Sequence, residues 1–423
     1  MQREGTCLKT KVQKRVTWLH LSDVHFCPEK SGWDAASVLR TLRRDLVFMQ
    51  QSEQLCPDLI FFTGDLAFGQ LPESPMTGQY EQAMLFLDGI RQSFEPAVGP
   101  EMVFLVPGNH DVNRTLVGRP ETVWLDQIEQ GEGAQIVSLL MRDGNCEWRR
   151  IMERLQDYRQ CLERHGYAHL LTDPDRLIYT AVRTVAGCNI GIAGFNTAWS
   201  CGRKLEAAKL WLGRWQLEKL RSALEDCSFR IALTHHPLNW LRPEENGVLR
   251  REIERSFEFH LHGHEHQNWV DAFDRHVRIA AGACYEDSTK ENGYSFVRLQ
   301  PGRGSGEVFF RTYDALGGGW VARNVFGRAP DGRWPLTLRW LNQQLQKDVS
   351  VKALEREENL TKPPSFSKVR INRATQRIPV ADADDALPGQ KRPKSLNSQW
   401  EKSEPKKVRG MRKTHAKAKR KPY

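Results

Sequence analysis

Five short polar blocks, each following directly on an apolar run, constrain this chain more than any other feature of it. They are Asp23-Val24-His25 after WLHLS, Gly64-Asp65 after LIFFT, Gly108-Asn109-His110-Asp111 after VFLVP, His235-His236-Pro237 after IALT, and Gly263-His264-Glu265-His266 after FEFHLH. The apolar runs are short and rich in β-branched and aromatic residues, so they read as strands with a polar crossing at one end. Open α/β sheets place their ligand crevices at such strand ends. One Asp-x-His or Gly-Asp alone is most often a turn capped by its own side chain. Five together, all supplying metal donors, are not explained by turns.

The strand pattern extends over about residues 15–315. Strands are predicted at Val16–Leu21, Leu59–Thr63, Met102–Val106, Leu177–Val185, Asn189–Phe195, Phe229–Thr234, Phe257–Leu261, Val277–Ala281, Tyr294–Leu299 and Glu307–Tyr313. Leu39, Leu42, Leu46 and Met49 recur with the period of an amphipathic helix, and a second helix fits Trp215–Leu224. The early strand-helix alternation predicts an α/β protein, and the nearly consecutive later strands predict a second sheet packed on the first, a two-sheet β-sandwich flanked by helices. Between 113 and 175 the rhythm changes. Ile151, Leu155, Tyr158 and Leu162 mark a helical insertion, read either as a cap over the site or as a surface excursion. One domain is therefore expected over 15–340. Residues 349–423, with Lys362-Pro363-Pro364 and ADADDA before a basic run, read as a disordered linker and tail.

The formal charge of +10 does not describe the body. Residues 390–423 hold thirteen Lys and Arg against only Glu401 and Glu404, which leaves the rest of the chain close to neutral and excludes a globally basic, nucleic-acid-coating surface. Within the tail, Lys406, Lys407, Arg409, Arg412, Lys413, Lys417, Lys419, Arg420 and Lys421 are the candidate contacts to nucleic-acid phosphates. The competing reading is a solvated end. No apolar stretch is long enough to span a membrane and no secretory signal is visible, so no membrane insertion is expected. Nine scattered cysteines without a Cys-x-x-Cys pair fit a reducing cytoplasm.

The five blocks in this order resemble the signature of the calcineurin-like metallophosphoesterase superfamily over about residues 15–300, and in form are most similar to its bacterial cyclic-nucleotide phosphodiesterase-like members. The resemblance implies two divalent metal ions. One would be held by Asp23, His25 and His266, the other by Asn109, His235 and His264, with Asp65 bridging. Mixed imidazole and carboxylate donors favour Mn, Fe, Zn or Ni over Mg. A hydroxide bridging the metals would attack phosphorus, His110 would be the general acid, and Asp111 is expected to orient it through a hydrogen bond. Asp23 with His25, and His264 with His266, are read as pairs on extended segments that point to one side. By the same alternation His235 and His236 point opposite ways, which leaves His236 outside the set that touches metal. His20 and His262 are read as packed residues, and Cys27 and Cys284 as structural.

The implied activity is phosphoester hydrolysis, with phosphodiesters of nucleotide-like compounds the expected substrates. A nuclease recruited through the tail and a catalytically silent scaffold of the same fold are the alternatives. A purple acid phosphatase is disfavoured, because Gly64-Asp65-Leu66-Ala67 carries no tyrosine two or three positions on.

Overall fold

The computed structural model describes residues 14–344 apart from 28, 31, 33, 129–132 and 288–289. The linker and basic tail, with the nine candidate nucleic-acid contacts, lie outside the described residues.

The first layer starts with β1 (Val16–Leu21), followed by helix α1 (Ala35–Glu53), β2 (Leu59–Phe62), helix α2 (Met76–Arg91) and β3 (Val103–Leu105). These three strands pair in parallel, with Trp18 opposite Leu59 and Ile60 opposite Val103. α1 forms where expected because Leu42, Leu46 and Met49 fall on one buried face. Next comes the insertion, built of α3 (Arg119–Ile128), α4 (Gly133–Asp143), α5 (Cys146–Met152) and α6 (Gln156–Arg164).

The second sheet follows, with β4 (Tyr179–Val185), β5 (Cys188–Gly194), helix α7 (Arg214–Ser222), β6 (Phe229–Leu233), helix α8 (Pro243–Ser256), β7 (Phe259–His262), β8 (Trp269–Phe273) and β9 (His276–Ala280). Its order is β4-β5-β6-β7-β9-β8, parallel from β5 to β9 with an antiparallel strand at each edge. The chain ends in β10 (Gly293–Gln300), β11 (Ser305–Asp314), β12 (Gly319–Ala322) and β13 (Arg333–Thr337).

These last four strands do not extend the second sheet, as the later strands were expected to do. β10 runs antiparallel to β1, with Val16 opposite Leu299, and the first sheet has the order β12-β11-β10-β1-β2-β3, with β13 also on β11. The reason is burial. Val16 to Leu21 are all buried, so β1 needs a neighbour on both edges, and β10, buried from Gly293 to Val297, supplies the second. The short strands β8, β12 and β13 escape sequence reading because each is five residues or fewer and largely half-exposed.

The core lies between the sheets. Trp18 of β1 meets Phe259 of β7 edge-on at 5.2 Å, and Phe104 of β3 stacks on Tyr179 of β4 at 6.3 Å. α1 is tied to the far side of the first sheet by a buried pair, Arg311 Nη2 to Asp45 Oδ1 at 2.6 Å.

The insertion packs closely on the body of the fold. Its apolar stripe is buried, with α6 against α2 and α4 against α7. Arg154, 1% exposed, donates to the carbonyls of Ile151 (2.9 Å), Cys201 (2.5 Å) and Trp199, while its own carbonyl accepts from Asn113 N at 2.8 Å. The side chain thus joins the insertion to the loop after β5, and the backbone of the same residue holds the start of the insertion at Asn113.

Candidate metal centre

The ends of β1 and β2 are zipped together by their backbones: Asp23 N donates to Gly64 O at 3.0 Å, and Val24 N and His25 N both donate to Asp65 O at 3.1 Å. The chain leaves strand geometry here. Asp23, His25, Asp65, His264 and His266 all have φ between 48° and 70°. Asp23 with His25, and His264 with His266, therefore reach one side through left-handed turns and not through strand alternation, which corrects the expected reason.

Two glycines are required by this crowding. A Cβ at Gly64, whose φ is 101°, would stand 2.5 Å from His235 Nδ1, and one at Gly108 would stand 2.1 Å from Asp65 Oδ1.

The donor atoms form two adjoining groups. In one, His266 Nε2 is 3.2 Å and His25 Nε2 4.0 Å from Asp23 Oδ1. In the other, His235 Nε2 is 3.0 Å from Asn109 Oδ1 and 3.2 Å from His264 Nδ1. Asp65 Oδ2 stands between them, 3.3 Å from His25 Nε2 and 3.2 Å from His235 Nε2. Its other oxygen accepts from His110 N at 2.8 Å. The structure thus brings together Asp23, His25, Asp65, Asn109, His235, His264 and His266, residues up to 243 positions apart in the chain.

The site fits metal ions on its own chemistry. Asp23 Oδ1 is a fully buried carboxylate oxygen without a well-directed hydrogen bond, though His266 Nε2 faces it at 3.2 Å. Without an ion the imidazole serves as Asp23's positive partner; a divalent cation would take that place, accepting lone pairs from both the carboxylate oxygen and the imidazole nitrogen. Several rings are already held by the opposite nitrogen. His235 Nδ1 donates to Thr63 O at 2.7 Å, His266 Nδ1 to Glu286 Oε2 at 2.7 Å, and His110 Nδ1 to Phe68 O at 2.6 Å, which leaves each Nε2 free.

Electrostatics follow from burial against opposite charge. Burial raises Asp23, but His266 and His235 outweigh it and hold the carboxyl below its ordinary range. Burial lowers His235, but Asp65 outweighs it and raises the imidazole to about 9. His264 is pulled down to about 3, by burial first and then by His235.

Two expectations about neighbouring residues are corrected. Asp111 makes no hydrogen bond to the His110 ring. Its oxygens accept from Asp65 N (3.0 Å), Gly108 N (2.8 Å), Ala67 N (3.3 Å) and Tyr80 Oη (3.0 Å), so it staples the loops, and it is the Phe68 carbonyl that orients His110. Burial and the Asp65 carboxylate push Asp111 up to about 6.

Nor does His236 point away from His235. The rings lie 4.7 Å apart, because both residues follow the end of β6 in a bend where alternation no longer applies. His236 Nδ1 pairs with Thr197 Oγ1 at 2.8 Å, and its ring is 4.5 Å from that of His264.

His20 is buried against Thr63 Oγ1 at 3.1 Å, and His262 is buried with its ring 5.0 Å from Trp269. Cys27 and Cys284 are free and buried. A cavity of about 170 Å³ opens beside the cluster, lined by His25, Lys30, Phe68, His110, His266, Tyr285 and Glu286. None of the insertion's described residues lines it. Lys30, Phe68, Tyr285 and Glu286 carry no local signal in the sequence, since each lies in a connection and reaches the cluster only through the fold.

A two-sheet α/β sandwich with a His/Asp/Asn cluster at its strand ends defines a metallophosphoesterase-type protein. The model of the calcineurin-like phosphoesterases matches residues 16–268, and the chain belongs to that family. No curated protein matches the chain. Among solved structures it is similar to GAP50 of Plasmodium, the anchor in the inner membrane complex (12% identity, 72% of this chain and 86% of that one, TM-score 0.37). It is also similar to the 5'-nucleotidase of Candida albicans (12% identity, 72% and 53%, TM-score 0.37) and to the phosphopantetheinyl hydrolase of Mycobacterium tuberculosis (14% identity, 64% and 92%, TM-score 0.33).

Proposed function

We propose that the protein is a dinuclear metal-dependent phosphoesterase that hydrolyses phosphodiesters of nucleotide-like compounds. The observation that carries this reading is the place of Asp65 Oδ2, within 3.3 Å of His25 Nε2 and 3.2 Å of His235 Nε2, one carboxylate oxygen shared by two complete donor groups. Asp23, His25 and His266 would hold one divalent ion, and Asn109, His235 and His264 the other, with Asp65 common to both. When bound, such a pair supplies a nucleophile at neutral pH and a positive clamp for the phosphoryl oxygens. The nitrogen-rich donor set favours Mn, Fe, Zn or Ni.

The chain's own residues do the rest. His110, whose Nδ1–H is committed to Phe68 O, presents Nε2 at the cavity wall; burial disfavours its charged form, and it is as the doubly protonated imidazolium that the ring can hand its Nε2 proton to a leaving alkoxide and return to the neutral Nδ1–H form. Phe68 and Tyr285 offer apolar walls suited to a ring-bearing leaving group, and Lys30 places a cation at the mouth. A cytoplasmic setting is supported by eight free cysteines among the described residues. The complete donor set argues against a silent scaffold.

The test is hydrolysis of bis-p-nitrophenyl phosphate and p-nitrophenyl phosphate by manganese-loaded protein, together with His110→Ala. Diester turnover that falls by roughly 100- to 10,000-fold in the variant is expected. No turnover of either compound by the wild type, or full activity in the variant, overturns the reading.

A further inference from the structure

Glu286 stands outside all five blocks. It lies between β9 and β10, and its carboxylate touches the cluster from the side opposite the donor atoms. Oε2 is 2.7 Å from His266 Nδ1, while Oε1 faces Lys290 Nζ at 3.6 Å, so the two oxygens have separate partners.

The segment that carries it is held independently of His266. Glu286 N donates to Asn292 Oδ1 at 2.8 Å, Asn292 Nδ2 donates back to Asp287 O at 2.9 Å, and Gly293 N donates to Ala283 O at 2.7 Å. Asn292 is fully buried, so Glu286 and Asp287 are tied to the start of β10 and the contact is not a passing surface one. On the other side of the ring, His266 Nε2 faces Asp23 Oδ1 at 3.2 Å.

An imidazole whose Nδ1–H is given to a carboxylate keeps Nε2 as a lone-pair donor. It also keeps that donor aimed, since rotation of the ring would break the bond. His266 needs this more than its neighbours. Its side chain is 25% exposed, against 11% for His25 and 0% for His235, it sits in left-handed backbone with φ of 55°, and among the described residues Glu286 is the side chain that pairs with Nδ1.

From this the geometry points to Glu286 as the positioning residue for the Asp23/His25/His266 ion: it fixes the tautomer and angle of His266 and so sets the affinity of that ion selectively over its neighbour. The inference rests on the dinuclear reading proposed above. Glu286 touches no donor atom of the second group; His235 in that group is held instead by Thr63 O. The two ions are therefore braced by different parts of the chain, one by a β9–β10 loop carboxylate, the other by a backbone carbonyl beside β2.

The experiment measures Mn²⁺ binding to the full chain by competition against a fluorescent chelator and by the Mn²⁺ electron paramagnetic resonance spectrum, for wild type, Glu286→Gln and Glu286→Ala. Two ions are expected in the wild type. Glu286→Ala should weaken one of them by about 10- to 100-fold and leave the other within about twofold. Glu286→Gln, whose amide oxygen still accepts from Nδ1–H, should fall between. Thermal unfolding of the chelator-treated variants checks that the loop is intact, and Glu286→Gln carries the test if Glu286→Ala does not fold. Wild-type affinity at both sites in Glu286→Ala overturns the inference and leaves the dinuclear reading standing. Equal weakening of both sites by Gln and Ala also overturns it, since that is the mark of a lost loop. A wild type that binds fewer than two ions overturns both.

Discussion

Replacing His25 by glycine should leave the metal-free protein more stable than replacing it by alanine, the reverse of the usual order. Both changes delete the imidazole and its contact with Asp65, so the difference between them isolates the backbone. His25 sits at φ 48°, in the left-handed region. A Cβ there costs about 1–2 kcal/mol. Glycine's extra freedom in the unfolded chain returns roughly 0.5–1 kcal/mol of that advantage. A net preference for glycine of about 1 kcal/mol remains. His266, at φ 55°, gives the same expectation. The assay is equilibrium unfolding in urea of chelator-treated His25→Gly and His25→Ala, since bound ions would mask the difference by stabilising the native state. Alanine variants as stable as the glycine variants, at both positions, would refute the claim that the cluster's backbone is held in a strained form.

Gly108→Ala should lose metal binding and diester hydrolysis together, because its Cβ would lie 2.1 Å from Asp65 Oδ1, and Mn²⁺ titration with a turnover assay checks it. Arg154→Met should destabilise the fold by about 3 kcal/mol or more by leaving the buried carbonyls of Ile151, Trp199 and Cys201 without their donor, as urea unfolding would show. Glu245 is buried, accepting from Leu212 N and Gly213 N, and burial pushes its carboxyl up to about 7. Its folded pKa is raised, so its favourable contribution is complete below about pH 4.5 and is lost as pH rises to about 7. That loss is on the order of 3 kcal/mol, and Glu245→Gln should flatten the wild-type decline in stability across this window.

The sequence disclosed the donor residues because metal chemistry restricts types as well as positions, and strand ends are where such residues reach a crevice. All seven candidate ligands converge in the structure. What was not legible depended on turns and distance. The shared direction of Asp23 and His25 comes from left-handed backbone, which no periodicity encodes for residues other than glycine. Adjacency in the sequence points Asp111 at His110, whereas its geometry commits it to three backbone N–H groups and Tyr80. Glu286 and Phe68 act through spatial neighbours far away in the chain. The strands of the first sheet were mostly visible one by one, but their return to β1 was not, because pairing partners leave no mark on either segment.

That return has a consequence for how the protein comes into being. Val16 pairs with Leu299, so β1 waits, with one edge open, until nearly three hundred residues have followed it. Contacts so distant in sequence close late and slowly. His264 and His266 are likewise made more than two hundred residues after Asp23, so an emerging chain presents each candidate donor group with one of its three members missing. If the site takes up two ions as proposed, a nascent chain should hold them weakly, and their acquisition becomes the closing event of folding, with the unpaired edge of β1 exposed to aggregation until then.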